Sequence, residues 1–444
     1  MSAFPSALFR GKRFAVVGLG KNGLPAAAAL RAMGADVVAW DDKPESRAAA
    51  QGFALRDPAV GDRFDFDALV LSPGIPHRLP RPHPAAQRAI AAGVPILSDV
   101  ELLFQAVRAA GSRARFAGIT GTNGKSTTTA LLAHILEQAG MAVAAGANLG
   151  PAALSLPLLP HDGVYVLEMS SYMLERLAHL RFDAAAMLNL SADHIDRHGD
   201  MDGYAMAKRA IFDRQAGDGL AVSGVDDGFS RDMAAWLDTR PARVVRVSGE
   251  DVPLAAGPAL PGAHNAQNAA AATAMARFFG VADDAIAAGL ASYPGLPHRQ
   301  QRIVTVDGVT FINDSKATNA DAAERALICY DKLVWIAGGT AKEGGIEALA
   351  PHFSRIAHAL LIGRDAPQFA DTLARHEVAF DSVGTLEAAV PAAFAAARAH
   401  GAPVVLLSPA CASWDQFTGY DQRGDRFADL ARALDTVPQP AGGA

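Results

Sequence analysis

Cysteine is nearly absent: Cys329 and Cys411 are the only two in 444 residues. That is too few for a disulfide-stapled secreted scaffold or a cysteine-rich zinc site, and it points to a reducing cytoplasm. Long apolar runs are missing as well. The most apolar windows are interrupted by Arg31 and Asp36 or by Pro157 and Pro160, so no uncharged stretch of about 18 residues remains for insertion in a membrane. The first residues, MSAFPSALFRGKRFAVVGLG, lack the apolar core and small-residue cleavage site of a secretory leader. There is no basic excess either. Forty Lys and Arg face 46 Asp and Glu, for a net charge of -6, which argues against a dedicated nucleic-acid binder. Lysine itself is scarce, eight against 32 arginines. Such a skew reflects codon usage, yet it makes each lysine worth following, because arginine cannot replace a compact, titratable amine everywhere.

What is present describes a folded protein. Half of the residues are hydrophobic and 19% are charged, a globular composition. The length is about three times the common domain size of roughly 150 residues, so two or three units are expected. No short-period repeat or low-complexity tract is seen. In the first hundred residues, strands Phe14 to Val17, Val37 to Trp40 and Ala68 to Leu71 enclose an Ala-rich helix, Ala26 to Met33. Apolar strands alternating with helices predict an α/β fold with parallel sheets covered on both faces. The basic stretch Arg108 to Arg115 marks a first boundary. Beyond it lie strands Phe116 to Ile119, Val164 to Leu167 and Ala185 to Leu190, and an Ala/Asn-rich helix after His264. Ser292 to Pro297, with two prolines and a glycine, reads as a linker to a third unit. Its strands are Val309 to Asn313, Leu333 to Ala337, Ala359 to Ile362 and Val404 to Ser408.

The strongest chemical signal is GITGTNGKST, Gly118 to Thr127, between an apolar strand and the helix Thr127 to Gln138. Such a turn lets backbone N–H groups and a helix N-terminus surround phosphates, with Lys125 at the β/γ oxygens and the Ser126 hydroxyl on magnesium. Ile119 stands where the strict pattern wants its first glycine, so the loop is a variant, with Gly121 supplying the turn. A glycine turn with an accidental lysine is the bland alternative; the complete string favours ATP. An earlier run, Gly18-Leu-Gly-Lys-Asn-Gly23, fits the dinucleotide fingerprint, with Asp41 or Asp42 about twenty residues on. A tight α/β turn needs these glycines without any ligand, and the geometry suits any diphosphate-linked nucleotide.

Glu168, in Glu168-Met-Ser-Ser-Tyr172, ends a strand, where a carboxylate beside a phosphate loop can hold magnesium. Alone it would be an ordinary surface charge or cap. Asn189 to His198 bunches His194, His198 and two aspartates. Zinc is the rival reading, but no third and fourth soft ligand is evident. Lys208 is placed at the start of a helical run, Tyr204 to Phe212, and His264 to Asn268 opens another helix. In the last unit Asn313 to Thr318, Gly338 to Lys342 and Ser408 to Phe417 are polar turns at three strand ends, as a ligand crevice on an open sheet requires. Ser413 and Cys411 lack a nucleophile elbow and a paired base. Four of the eight lysines, Lys125, Lys208, Lys316 and Lys342, fall within these elements.

Taken in order, GITGTNGKST, LEMSSY, LNLSADHIDRH, Lys208, HNAQNAAAA, LPHR, NDSKATN and LLSPACASWDQF resemble the Mur ligase family over nearly the whole chain. NDSKATN and SPACAS point to the branch that adds glutamate. The resemblance implies three domains: a Rossmann-like unit for a UDP substrate (1–107), a central P-loop ATPase-type parallel sheet (108–297), and a C-terminal Rossmann-like unit for the amino acid (298–444). It implies a cytoplasmic, ATP-dependent joining of D-glutamate to UDP-N-acetylmuramoyl-L-alanine through an acyl phosphate, by a monomer with two magnesium ions. Lys21, Asn22, Asp41, Lys43, Ser72, Pro73 and Gly74 would contact UDP, with Asn148 reaching the same substrate and Ser170 nearby. Gly121, Thr122, Asn123, Gly124, Lys125, Ser126 and Thr127 would cradle ATP, whose base, phosphate and ribose would meet Asn268, Arg299 and Asp314. Ser126, Glu168, His194 and a carbamylated Lys208 would serve the metals. Lys125, His194 and Lys208 would be catalytic, and Lys316, Thr318, Lys342, Ser413 and Tyr420 would hold glutamate.

Two places depart from the family pattern: Met173 stands where Gln is expected, and Gln300-Gln301 follow His298-Arg299 where an aromatic or apolar residue and Glu are more usual. Neighbouring Mur ligases and folylpolyglutamate synthase-like amide ligases are the alternatives among enzymes. A nicotinamide-dependent oxidoreductase would leave the second phosphate loop and Lys208 unexplained. A non-catalytic nucleotide-binding relative is opposed by the intact Lys125, Glu168 and His194.

Overall fold

Strand segments too apolar to leave one face in water become the centres of three open sheets. The structure, a computed structural model, describes residues 2–250, 257, 259–260, 262–341 and 344–436. The chain falls into two compact units, Met1–Tyr293 and Pro294–Ala444.

The first unit opens with β1 (Arg13–Val17), β2 (Asp36–Trp40), β3 (Ala54–Leu55), β4 (Ala68–Leu71) and β5 (Ile96–Leu97), a parallel sheet in the order β3-β2-β1-β4-β5. Side-chain alternation sends Phe14 and Val16 into one apolar cluster and Ala15 and Val17 into another, so both faces are covered. Val17 pairs with Trp40 and with Leu71. The turns that follow β1, β2 and β4 therefore meet at one edge, where the strand order reverses and an open sheet offers its crevice.

The same unit continues with β6 (Arg115–Thr120), β7 (Val143–Ala147), β8 (Val164–Glu168), β9 (Ala184–Met187), β10 (Leu220–Gly224) and β11 (Arg243–Val247), again parallel, in the order β11-β10-β9-β6-β8-β7. Ile119 pairs with Glu168 and Thr120 with Met187, so β6 delivers its loop between the ends of β8 and β9. The Ala-rich helix Ala263–Phe278 packs on the helix Lys125–Gln138. The two sheets of this unit share one core: Phe14 and Val16 of the first join Phe116, Tyr165 and Leu167 of the second, through Leu102, Leu103 and Ala106 of the helix Asp99–Ala109.

The second unit contains β12 (Gln301–Val306), β13 (Val309–Asn313), β14 (Leu333–Gly338), β15 (Thr340–Ala341), β16 (Ile356–Ile362), β17 (Phe380–Gly384), β18 (Val404–Leu407) and β19 (Cys411–Ala412). Six of them form a sheet in the order β12-β13-β18-β14-β16-β17, parallel except for the β12/β13 hairpin. β15 and β19 pair antiparallel and pin the turn after β14 to the turn after β18.

Strands Ala68–Leu71 and Val309–Asn313 lie where the sequence places them, whereas β9 stops at Met187, so Leu188 to Leu190 belong to the loop. The edge strand β7, VAAGA, has little strand propensity of its own and exists through pairing with β8. Lys208 is corrected from the start of a helix to its last turn: Asp200 caps the helix Met201–Arg209 by accepting from Gly203 N at 2.7 Å, which starts it earlier than Tyr204.

Candidate active site

The loop after β6 turns on Gly124, whose φ of +80° is left-handed. A Cβ there would also lie 2.2 Å from Asn268 Oδ1, so glycine is required for space as well as for conformation. The helix Lys125–Gln138 begins at once, which aims the N–H groups of its first turn and its positive dipole end into the loop. Neighbouring residues hold the loop rigid. Asn123 N donates to Asn189 Oδ1 at 2.9 Å, Thr122 N donates to Asn189 O at 2.9 Å, and Ser191 N donates to Thr122 Oγ1 at 3.0 Å. Lys125 Nζ lies across the loop and donates to Thr122 O at 2.7 Å.

At the end of β8, Glu168 is 2% exposed. Ser126 Oγ donates to its Oε2 at 2.7 Å and Asn148 Nδ2 donates to its Oε1 at 2.6 Å. The structure thus groups Asn148 with the phosphate loop. Lys21, from the first sheet, comes close to the same segment: a Cβ on Gly150 would be 3.3 Å from its Nζ. Lys208, 1% exposed, donates from Nζ to Gly121 O at 2.8 Å and to Thr120 Oγ1 at 3.3 Å, and lies 4.7 Å from the Tyr204 ring centre. Burial, with Lys125 nearby, pushes its amine well below the usual lysine range. His194 has a left-handed backbone, lies 3.4 Å from Asp193 and faces Tyr172 at 5.1 Å. Burial lowers its pKa, so the imidazole is neutral at pH 7. Asn268 donates to Asn265 Oδ1 at 3.0 Å, and Thr127 lies in the first helical turn.

In the first sheet, Asp41 spends both carboxylate oxygens on the backbone, accepting from Leu19 N at 2.7 Å and Lys43 N at 2.9 Å. Ser72 Oγ donates to Gly18 O at 2.7 Å. Gly23 cannot carry a side chain, since its Cβ would fall 1.7 Å from Gly18 O. Asn22 precedes the helix Gly23–Ala32, and its carbonyl accepts from Ala26 N. Arg197 Nη1 donates to Gly74 O at 3.0 Å, beside Pro73. Ser170 caps the helix Ser171–Leu174 by accepting from Met173 N; Met173 is itself buried, which explains an apolar residue there.

In the second unit, Asp314 at the end of β13 is buried. It accepts from Ser408 Oγ at 2.8 Å and from Gln300 N at 3.1 Å, and burial raises its pKa to about 7, against the opposing charge of Arg299. The Gln300 contact comes from its backbone; its side chain donates to Arg325 O at 3.4 Å. Lys316 Nζ donates to Tyr420 OH at 3.1 Å. Thr318 is half-buried and Ser413 buried. Lys342 lies outside the described residues. Arg423 was not foreseen: its buried guanidinium donates to Ser315 Oγ at 3.0 Å, Ser315 O at 2.8 Å and Cys411 O at 3.0 Å. It ties two of the three strand-end turns together. From sequence, an arginine in a C-terminal helix looks solvated.

The donor set suits a phosphate and a hard cation. The loop presents helix N–H groups and Lys125, the buried Asn123 Nδ2 has no hydrogen-bond partner, and a hydroxyl and a carboxylate oxygen stand side by side at Ser126 and Glu168. Among the described residues, no three His, Cys, Asp or Glu side chains form a metal-sized cluster.

A Gly-rich loop at the centre of one parallel sheet, with a buried carboxylate beside it and a second Gly-rich turn at the edge of the sheet that precedes it in the chain, is an arrangement suited to a nucleotide-dependent enzyme. Residues 119–257 match the Mur ligase middle domain, and residues 298–411 the Mur ligase glutamate ligase domain. The chain belongs to the Mur ligase family. It is 51% identical to the UDP-N-acetylmuramoylalanine–D-glutamate ligase of Paramagnetospirillum magneticum, covering 96% of this chain and 98% of that one. To the ligase of the same name from Rhodospirillum rubrum it is 46% identical, with 96% and 95% covered. Among solved structures, UDP-N-acetylmuramate–alanine ligase MurC from Thermotoga maritima shares the fold, with a TM-score of 0.58 at 16% identity over 95% of this chain and 99% of that one.

Proposed function

We propose that this chain joins D-glutamate to UDP-N-acetylmuramoyl-L-alanine at the expense of ATP, a step of peptidoglycan precursor synthesis. The observation that carries this is the near-full-length identity to ligases named for that reaction, on a chain that retains Lys125, Ser126 and Glu168 in one cluster. The three-part division into residues 1–107, 108–297 and 298–444 assigns one substrate to each part: UDP to the first Gly-rich turn, ATP to the loop after β6, and glutamate to the strand ends of the last sheet. Asn268, Arg299 and Asp314 are assigned to the nucleotide. Lys316, Thr318, Lys342, Ser413 and Tyr420 are assigned to glutamate.

A carboxylate is a poor electrophile. The alanine carboxylate first attacks the γ-phosphate of ATP, giving an acyl phosphate and ADP, and the amine of glutamate then displaces phosphate to form the amide. Lys125 and the helix N–H groups offset charge on the phosphates. Ser126 and Glu168 are the residues that would hold magnesium, and two ions are expected; magnesium supplies charge neutralisation between phosphate oxygens and the attacking carboxylate. His194, neutral at pH 7, is suited to accept a proton from the incoming amine. Burial lowers the Lys208 amine well below the usual lysine range, which favours its uncharged form. An uncharged buried amine can add to carbon dioxide and lose a proton, giving a carbamate that adds a carboxylate beside the phosphate loop. The substrates are two soluble nucleotides and an amino acid, among the described residues no helix is long and apolar enough to cross a membrane, and we assign the reaction to the cytoplasm and to a monomer.

The test mixes the protein with ATP, magnesium, UDP-N-acetylmuramoyl-L-alanine and single amino acids, reading phosphate release and product mass. Amide formation with D-glutamate, and not with L-glutamate, L-alanine or a diamino acid, is expected. Phosphate release that does not depend on D-glutamate overturns the reading.

A further inference from the structure

The turn at the edge of the first sheet and the loop that carries His194 are linked by buried side chains to which nothing above assigns a role. Arg176, 3% exposed, donates from Nη1 to Leu71 O at 2.9 Å and Ser72 O at 3.1 Å, from Nη2 to Ile75 O, and from Nε to His77 Nδ1 at 3.3 Å. Arg197 reaches the same turn at Gly74 O and stacks 4.3 Å from the Tyr172 ring centre. Next to Arg176, Glu175 Oε1 lies 3.3 Å from Nδ1 of the buried His198, whose Nε2 lies 2.9 Å from Ser171 Oγ. The His198 ring packs on Tyr172 at 5.7 Å and on Tyr204 at 5.3 Å. Tyr204 in turn meets Thr122 of the phosphate loop, OH to Oγ1, at 3.4 Å and carries the Lys208 amine over its ring. An unbroken series of contacts thus runs from the Ser72 turn to the phosphate loop.

Burying a guanidinium is costly, and apolar side chains would hold two segments together with less penalty. What the rigid fork adds is direction: its donors fix where the carbonyls of the turn point. We propose that Arg176 and His198 are positioning residues for the ligation, holding the Ser72–Ile75 turn and the His194 loop at a set spacing so that the substrate's carboxylate reaches the γ-phosphate in line. This rests on the reading of that turn as part of the UDP-substrate site. In-line transfer tolerates little error, and a displacement of about 1 Å costs on the order of a hundredfold in rate.

Arg176→Lys keeps the charge and loses the fork. His198→Phe keeps an aromatic ring and loses both polar contacts. With the full chain, ATP, magnesium, UDP-N-acetylmuramoyl-L-alanine and D-glutamate, we expect Arg176→Lys to raise KM for the UDP substrate at least tenfold and lower kcat at least tenfold, with KM for D-glutamate changed less than twofold. His198→Phe should lower kcat at least tenfold and raise KM for ATP, again sparing D-glutamate. A purely structural loss reduces the amount of active protein and moves no KM. All KM values equal to the parent's in both variants overturn the proposal. A parent chain that forms no amide with D-glutamate overturns both this and the functional reading.

Discussion

Gly124 and Gly140 have nearly the same backbone, φ of +80° and +81°, but different surroundings. A Cβ on Gly140 meets nothing within 4 Å, whereas one on Gly124 falls 2.2 Å from Asn268 Oδ1 and 3.1 Å from Leu188 Cδ1. Alanine at either position costs about 1–2 kcal/mol for the left-handed conformation. At Gly124 it must also displace a buried asparagine and break its 3.0 Å bond with Asn265, which adds about 1–3 kcal/mol. At roughly 2 °C per kcal/mol for a unit of this size, Gly140→Ala should lower the melting temperature by about 2–4 °C and Gly124→Ala by about 4–10 °C. The catalytic effects should separate further. Gly140→Ala leaves KM for ATP as it is, while Gly124→Ala raises it about tenfold, the equivalent of about 1.4 kcal/mol. Thermal unfolding and initial-rate kinetics on the two variants read both quantities. Equal melting shifts with equal KM values would refute the claim that the loop is shaped by contact with Asn268.

Lys208→Ala should abolish ligation, and added short-chain carboxylic acids should restore part of it if a carbamate is the working group; full activity in the variant would remove Lys208 from the site. His77, held at about pKa 4 chiefly by burial and then by Arg176, is a base with a depressed folded value. Its contribution is therefore intact above about pH 6.5 and lost as pH falls toward 4, at most roughly 3 kcal/mol. His77→Gln should flatten the melting temperature of the first unit between pH 7 and pH 5. Asp314, raised to about 7 by burial, has the opposite sign: without nucleotide, the second unit should lose stability as pH rises from about 4 to 7, by up to roughly 4 kcal/mol, and Asp314→Asn should remove that slope.

The phosphate loop was legible because its residues are contiguous and each is needed for a local reason: a strand, a left-handed glycine, a lysine and a helix start. Glu168 could be singled out from its place at a strand end, but its pairing with both Ser126 and Asn148 depends on β8 lying beside β6 and β7, which local patterns do not encode. The helix of Lys208 starts earlier than its apolar pattern indicates because Asp200, set among other aspartates and glycines, caps it. Arg176 and Arg423 leave no local signal in the sequence for a common reason. Both are arginines whose partners are mainly backbone carbonyls of turns remote in sequence, and carbonyls leave no trace in side-chain chemistry.

The continuous core under the first two sheets has a consequence for how the molecule comes apart. Three substrates do not require three independently folding pieces. With Phe14, Phe116 and Tyr165 in one apolar mass, the first and second sheets should melt together, so calorimetry should resolve at most two transitions. A fragment ending near residue 107 would leave Leu102, Leu103 and Ala106 without their partners from the second sheet. Swapping that fragment between relatives would therefore require matching this buried seam as well as the glycine-rich turns.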